Sequence, residues 1–108
     1  MLDVDAAWLA GIIEGEGCLE IMNNSTNKNV LRIRVGMTDL DVVEKVALLM
    51  NTTVKTNQIT KGGKQFYTTS ISRPEKVREV LTNIKPYMGK RRLAKITDMF
   101  NTLELRGK

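Results

Sequence analysis

The sequence of 108 residues contains no histidine and only one cysteine, Cys18. Histidine is the most common metal ligand and general base in proteins, while zinc sites and disulfides need several cysteine or histidine side chains. These absences exclude an internal disulfide, a multi-cysteine zinc site and catalysis by histidine. Any catalysis must therefore use carboxylates, lysine, hydroxyl groups or water activated by a metal ion.

Long apolar stretches are absent as well. No hydrophobic run approaches the roughly 20 residues that a membrane-spanning helix needs, and the first residues lack the basic and apolar regions of a signal peptide. We therefore expect a soluble intracellular protein without a membrane partner, in the cytoplasm or nucleoid, or in an organelle if an organelle encodes it. With 42% hydrophobic residues, the chain can build one core, which predicts a single domain over residues 1–108.

The formal net charge of +5 is unevenly distributed along the chain. Residues 1–54 hold 4 lysines and arginines against 8 acidic residues, whereas residues 55–108 hold 13 against 4. The second half is strongly basic, which favours a polyanionic partner such as nucleic acid. By charge alone, a solvated basic surface without a partner fits equally well.

The stretch from residue 7 to residue 17 departs from ordinary helix design in two ways. Ala7, Gly11 and Gly15 recur every four residues, so in a helix they form one bare stripe, although each glycine costs about 1 kcal/mol relative to alanine. Such stripes are typical of helices that pack closely. The helix would also end in Glu14 and Glu16, where the helix dipole favours cations. This predicts a contact surface beside a bound divalent cation.

Helical periodicity, strand alternation and turn signals predict eight elements in the order α-β-β-α-β-β-α-α. The first helix is expected to start with Asp3 or Asp5 as its cap, to end near Glu14 and to place Val4 in the core. The following elements are strands over 18–24 and 30–37, a helix through Met50 capped by Thr38 or Asp39, strands over 53–60 and 65–72, a helix opened by a capping box at 72–75 and ending at Ile84, and a helix over about 90–105. We expect an α+β fold with one antiparallel four-stranded sheet and the helices on one face.

The other sheet face is expected to be open, and its alternate positions carry polar or basic side chains. They are Glu20, Met22, Asn24, Arg32, Arg34, Lys55, Asn57, Thr68 and Ser70. Such a face can contact bases and phosphates in a DNA groove, although an ordinary solvated face has the same pattern. Lys28, Lys61 and Lys64 lie in the predicted hairpin loops. The last helix begins with Lys90, Arg91 and Arg92, and the two arginines suit phosphate contacts.

Residues 9–17 read LAGIIEGEG, which resembles the motif that gives the LAGLIDADG homing endonucleases their name. The differences are aliphatic exchanges, glutamate for aspartate twice, and glycine for alanine. The predicted order of elements resembles the core of that family. Residues 84–94 are similar to its late segment, in which a catalytic lysine opens a helix. The resemblance covers essentially the whole chain.

The resemblance implies a saddle-shaped sheet and a homodimer, because this chain carries one copy of the motif. It implies a sequence-specific, intron-encoded DNA endonuclease that cuts both strands of a long pseudo-palindromic site across the minor groove, leaves 3′ overhangs and uses Mg²⁺ or Mn²⁺. Glu16 matches the catalytic metal ligand, and Lys90 the basic residue near the scissile phosphate. The carbonyl of Gly15 could complete the metal coordination. The implied dimer interface contains Ala7, Trp8, Gly11, Ile12 and Gly15.

Two further readings stay open at the level of sequence. Some relatives place a glutamine after the second strand to order the attacking water, but here residues 36–38 read Gly-Met-Thr and offer at most the hydroxyl of Thr38. The chain could therefore be a non-cleaving nucleic-acid binder, such as an RNA maturase that binds intron RNA or a DNA-binding regulator. It could also be an interaction domain that uses the small-residue stripe only to dimerise.

Overall fold

The fold is taken from a computed structural model that describes residues 1–22 and 30–106, apart from the side chains of residues 57, 58, 105 and 106. The elements are α1 (Asp3–Glu16), β1 (Gly17–Met22), β2 (Val30–Met37), α2 (Leu40–Met50), β3 (Val54–Ile59), β4 (Gln65–Ile71), α3 (Pro74–Ile84) and α4 (Lys90–Arg106), with a 3₁₀ turn at Lys85–Tyr87. This confirms the predicted α+β fold and the order of its elements.

The four strands form one antiparallel sheet in the order β1-β2-β4-β3. Two hairpins, β1–β2 and β3–β4, are joined through the central pair of β2 and β4, where Val35 lies opposite Thr69. Leu19 lies opposite Ile33 on the side that faces the core, and Glu20 lies opposite Arg32 on the other side. The predicted alternation in β1 and β2 is therefore confirmed, and at the end of β4 Thr69 and Ile71 are buried whereas Ser70 is half-buried.

Helical side chains cover the apolar side of this sheet. The core combines positions from all four helices, such as Leu9, Val46, Val77 and Ile96, with buried strand residues such as Ile33. The predicted core positions of α2 and α3 are buried at all eight places, namely Val43, Val46, Ala47, Met50, Val77, Val80, Leu81 and Ile84. None of the described helices has the length and apolar character to cross a membrane.

The predicted cap of α1 is wrong. Leu2 occupies the N-cap position, and Asp3 and Asp5 both lie in the first turn, where no side chain caps the helix. The helix starts earlier than expected because the carbonyl of Leu2 already accepts a hydrogen bond from the Ala6 N–H at 2.9 Å. The two carboxylates still favour this end, since the N-terminus of a helix carries partial positive charge.

The capping box predicted at residues 72–75 is also absent. Arg73 is the N-cap of α3, with Pro74 at the first helical position and no side-chain cap. The Glu75 carboxylate instead pairs with Arg73, with Oε1 3.1 Å from Nε, because the helix begins one residue later than the box requires. Asp39 does occupy the N-cap of α2, but its side chain makes no capping hydrogen bond. Both helix ends are exposed, so water can satisfy their free N–H groups.

Candidate functional site

The small-residue stripe of α1 lies on the surface. Ala7, Gly11 and Gly15 are exposed, and a Cβ atom added to either glycine would meet no atom within 4 Å outside the helix's own backbone. Val4, which was predicted for the core, is 72% exposed. It lies three residues before Ala7 and seven before Gly11, so the helical period puts it on the stripe face. Together these four residues form an apolar strip, here called the α1 face.

Two larger side chains flank the α1 face. Trp8 and Ile12 are half-buried and pack against the core cluster. The Nζ atom of Lys45 lies 4.3 Å from the centroid of the Trp8 ring, which is the geometry of a cation–π contact. The predicted interface residues therefore share one side of α1, with bare positions along its exposed line and bulky residues beside it.

Glu16 is the last residue of α1 and is exposed. The chain turns directly into β1 at Gly17, where an added Cβ would lie 2.7 Å from the Ile13 Cα and 3.0 Å from the Ile13 carbonyl oxygen. Only glycine permits this approach, because the neighbouring atoms are backbone and cannot move aside. The same Gly17 donates its N–H to the Ile13 carbonyl. This close junction therefore fixes the position of Glu16 at the end of α1.

The acidic end of α1 meets the start of α4. Arg92 donates from Nη2 to the Glu14 backbone carbonyl at 3.2 Å, and the Gly89 N–H donates to the Glu14 carboxylate at 3.4 Å. Arg92 therefore supplies part of the positive charge that the C-terminal end of α1 favours. The two residues are 78 positions apart in the sequence, so residue spacing could not predict this contact. Arg92 is half-buried, whereas Lys90 and Arg91 are exposed.

A cleft of about 420 Å³ opens beside this junction. Its walls are residues 17–20 of β1 and three basic side chains of α4, Arg91, Arg92 and Lys95. Lys95 was not among the predicted site residues, although its spacing of four from Arg91 places both on one side of the helix. Within the described part of the chain, no group of three or more histidine, cysteine, aspartate or glutamate residues is placed to hold a metal ion.

On the open sheet face, one carboxylate holds two arginines. The Glu20 carboxylate accepts hydrogen bonds from Arg32 Nε at 2.9 Å and Nη2 at 3.1 Å, and from Arg34 Nε at 3.4 Å. The hydrogen bond from Arg32 lowers the pKa of the Glu20 carboxyl, and the same bond raises the pKa of Arg32. Arg34 Nη2 also lies 3.7 Å from the Cys18 sulfur. Glu20, Arg32 and Arg34 were predicted to share this face, and they contact and orient one another there.

The rest of the predicted face is less uniform. Met22, Thr68 and Ser70 are half-buried, and Lys55, Lys61 and Lys64 are exposed. A register shift between Lys55 and Gln58 interrupts the alternation from which a shared face for Lys55 and Asn57 was predicted. The side chain of Asn57 and the whole of Asn24 and Lys28 lie outside the described residues.

An aromatic side chain that was not predicted as a site residue also lies on this face. An added Cβ at Gly36 would be 2.8 Å from Phe66 Cε2, so the Phe66 ring covers the glycine across the strand pair. The cross-strand pairing of Gly36 with Thr68 places both on the open side.

Comparison with known families settles the relationship of the chain. A family model described as a LAGLIDADG-like domain matches residues 3–85. The chain belongs to the LAGLIDADG family. This confirms the resemblance seen in residues 9–17. Lys90 and the rest of α4 lie beyond the matched range.

The fold of this LAGLIDADG chain is similar to several solved structures. They include I-CvuI in complex with the I-CreI target (TM-score 0.73, 16% identity, 94% of this chain and 66% of that one), I-CeuI complexed with DNA (0.73, 19%, 98% and 56%) and I-GzeII in complex with its DNA target (0.74, 17%, 93% and 35%). At these identities the likeness concerns the fold. The chain spans about two thirds or less of the length of these LAGLIDADG proteins. No curated protein matches the sequence.

Proposed function

We propose that this LAGLIDADG chain acts as a homodimeric, sequence-specific DNA endonuclease that depends on a divalent cation. The observation that carries the proposal is the arrangement of α1: an exposed apolar face that ends at the exposed carboxylate of Glu16, beside the basic start of α4. The structural likeness to I-CeuI and I-GzeII, both solved with DNA, supports double-stranded DNA as the partner.

The α1 face supports pairing with a second copy. Exposed Val4, Ala7, Gly11 and Gly15 offer an apolar strip without side chains large enough to hold a neighbour away. Small residues at such positions let two helix backbones approach closely. A twofold axis that runs along this face, roughly parallel to α1, would place the two helices side by side and bring together their C-terminal ends, and with them both copies of Glu16. The two chains would then read a pseudo-palindromic site.

The residues at the end of α1 fit a divalent cation. The Glu16 carboxylate makes no hydrogen bond or ion pair with another described residue, and it lies at a helix end that carries partial negative charge. Glu16 and the carbonyl of Gly15 would hold Mg²⁺ or Mn²⁺, which prefer oxygen ligands. Because one chain supplies no cluster of three acidic ligands among its described residues, the second copy would contribute the others.

A cation bound there would supply an activated water and would stabilise charge on the scissile phosphate and its leaving oxygen. The side chain of Lys90 adds a positive charge at the start of α4, which favours the phosphate at the same end of the sheet. Cleavage of both strands with 3′ overhangs is part of this proposal.

DNA recognition would use the open sheet face and the basic residues around it. Arg32 donates hydrogen bonds from Nε and Nη2 to Glu20, and its Nη1 could donate to a base edge or a phosphate. Such a fixed guanidinium suits base contacts in the major groove. Lys61, Lys64 and Arg91 are exposed and suit phosphates, whose contacts set the register of the protein on DNA.

The test is selection followed by cleavage. A randomised duplex library is bound to the purified protein in Ca²⁺, the selected duplexes are sequenced, and cleavage is then measured in Mg²⁺ and in EDTA. We expect double-strand cuts in Mg²⁺ only. Glu16→Gln should retain binding and lose cleavage, while the matched control Glu79→Gln, at an exposed position of α3, should cut like the wild type.

Other results point to other functions. If the wild type binds duplex DNA tightly without cutting it, the result would contradict the proposed endonuclease activity and support a DNA-binding regulator. A preference for structured RNA over duplex would support a maturase. Weak binding that does not depend on salt would leave a dimerisation domain, because contacts to phosphates make affinity fall steeply with salt.

A further inference from the structure

Glu14 accepts hydrogen bonds from two residues that flank Lys90 in the sequence. Its carboxylate accepts the N–H of Gly89, the residue just before Lys90, at 3.4 Å. Its backbone carbonyl accepts Nη2 of Arg92, two residues after Lys90, at 3.2 Å. Glu14 itself lies two residues before Glu16. One residue of α1 therefore connects the end that carries the metal-ligand candidate to the segment that carries the lysine.

The contact joins two helix ends that are unfavourable when taken separately. α1 has no basic residue in its last turn, and α4 has no acidic residue in its first turn. Each end carries side-chain charge of the sign that its own dipole disfavours. Where they meet, Glu14 supplies negative charge to the start of α4 and Arg92 supplies positive charge to the end of α1. The two ends thus stabilise each other.

The geometry at this contact is tight. An added Cβ at Gly89 would lie 3.3 Å from Oε1 of Glu14, so one methyl group would require the carboxylate to shift by a few tenths of an ångström. The Nε atom of Arg92 is fully buried and has no hydrogen-bond partner among the described residues. Glu16 and Lys90, by contrast, are exposed and have no such contacts of their own in the described chain.

We propose that Glu14 is a positioning residue, which fixes the placement of Lys90 relative to Glu16 through its bonds to Gly89 and Arg92. The inference rests on the proposed nuclease function. Glu14 does not touch substrate or metal in this role. It acts through the backbone before Lys90, so its effect should appear in the rate of the chemical step and not in DNA affinity.

Two substitutions separate position from charge. Glu14→Gln removes the charge but keeps a carbonyl oxygen that can accept the Gly89 N–H, so its single-turnover rate at saturating DNA and Mg²⁺ should stay within about threefold of the wild type. Glu14→Ala loses the acceptor, and a small misplacement of reacting groups should lower that rate on the order of 10- to 100-fold. The dissociation constant for the selected duplex in Ca²⁺ and the Mg²⁺ midpoint should stay unchanged in both variants.

A double-mutant cycle makes the test independent of any one variant. Gly89→Ala places a methyl group against the Glu14 carboxylate and should lower the single-turnover rate about fivefold in the otherwise wild-type chain. In the Glu14→Ala background the same substitution should have no further effect, because no carboxylate remains to be displaced. Urea unfolding of each variant shows whether it is folded, and if Glu14→Ala is not, the cycle is run with Glu14→Gln, where the effect of Gly89→Ala should persist.

The possible failures are distinguishable. Equal rate losses in Glu14→Gln and Glu14→Ala, with a raised Mg²⁺ midpoint, would overturn positioning in favour of a charge effect on the metal. Additive effects in the cycle with Glu14→Ala, loss of the Gly89→Ala effect in the cycle with Glu14→Gln, or a wild-type rate in Glu14→Ala would overturn it outright. A wild-type chain that binds duplex DNA without cutting would instead overturn the proposed nuclease function and this inference with it.

Discussion

Replacement of Gly11 by leucine should separate folding from assembly. An added Cβ at Gly11 would meet no atom within 4 Å, so the single chain has room for a side chain there. A glycine inside a helix costs about 1 kcal/mol relative to good helix formers such as alanine or leucine. For the folded monomer, Gly11→Leu should therefore raise the free energy of unfolding by somewhat less than about 1 kcal/mol.

The effect on a dimer should have the opposite sign. At a twofold interface the substitution occurs twice, once on each helix. Overpacking a close contact costs about 1 to 3 kcal/mol per site, so the pair should lose about 2 to 6 kcal/mol of association free energy. At about 1.4 kcal/mol for each factor of ten, the dimer dissociation constant should rise between about 30-fold and about 20,000-fold.

Sedimentation equilibrium over a range of protein concentrations measures this constant. Urea unfolding at a concentration where both proteins are monomeric measures the stability of the single chain, since dimers gain apparent stability with concentration. Ala94→Leu is the matched control, because Ala94 is an exposed small residue on α4. An unchanged dimer constant for Gly11→Leu would refute the assignment of the α1 face as the interface.

Three further predictions concern single contacts in the fold. Gly17→Ala should destabilise the chain by about 3 kcal/mol in urea unfolding, because its Cβ would lie 2.7 Å from the Ile13 Cα, a backbone atom that cannot yield. Glu20→Gln should cost at most about 1 kcal/mol at pH 7, and this difference from the wild type should shrink as the pH falls. Gly36→Ala should destabilise the wild type more than the Phe66→Ala variant, since its Cβ would meet the Phe66 ring at 2.8 Å, whereas the contact with the Thr68 Cγ2 at 3.1 Å remains in both.

Each of these has a specific control. Gly15→Ala is the control for Gly17→Ala and should not destabilise the monomer, because an added Cβ there meets nothing within 4 Å. For Glu20 the sign follows from its lowered pKa: the stabilisation is present above the pKa of the unfolded chain and is lost as the pH falls through the folded value. A difference that grows toward acid would contradict this. For Gly36, equal losses with and without Phe66 would contradict the contact.

Periodicity predicted the architecture well because the core-facing positions follow it closely. The faces of α2 and α3, with Val43 and Val80 among them, are buried as the i, i+3, i+4 spacing requires. Alternation in β1 and β2 likewise placed Leu19 inside and Glu20 outside. Val4 was wrongly predicted to lie in the core because its side chain is apolar, and hydrophobicity alone cannot distinguish a core position from an exposed position on the same helix.

The candidate site was only partly predictable. The sequence of residues 7–17 predicted Glu16 as a metal ligand and the bare stripe as a contact surface, because both are local patterns. The contacts of Glu14 with Gly89 and Arg92 join residues 75 and 78 positions apart, and no local pattern encodes such a pair. The predictions of helix caps were wrong for a related reason. Water can satisfy the free N–H groups at an exposed helix end, so an acidic or hydroxyl residue nearby does not fix where the helix begins.

Under the proposed function, the carboxylate that Glu20 shares between two arginines has a consequence for changing the DNA sequence that is recognised. Its two oxygens hold both Arg32 and Arg34, so replacement of either arginine frees an acceptor that the other can take up. The remaining guanidinium would then turn, and its preference would change although its identity had not. In the proposed DNA recognition, the positions that the two arginines contact are therefore not independent of each other. Altered specificity on this surface would have to be selected over all three residues at once.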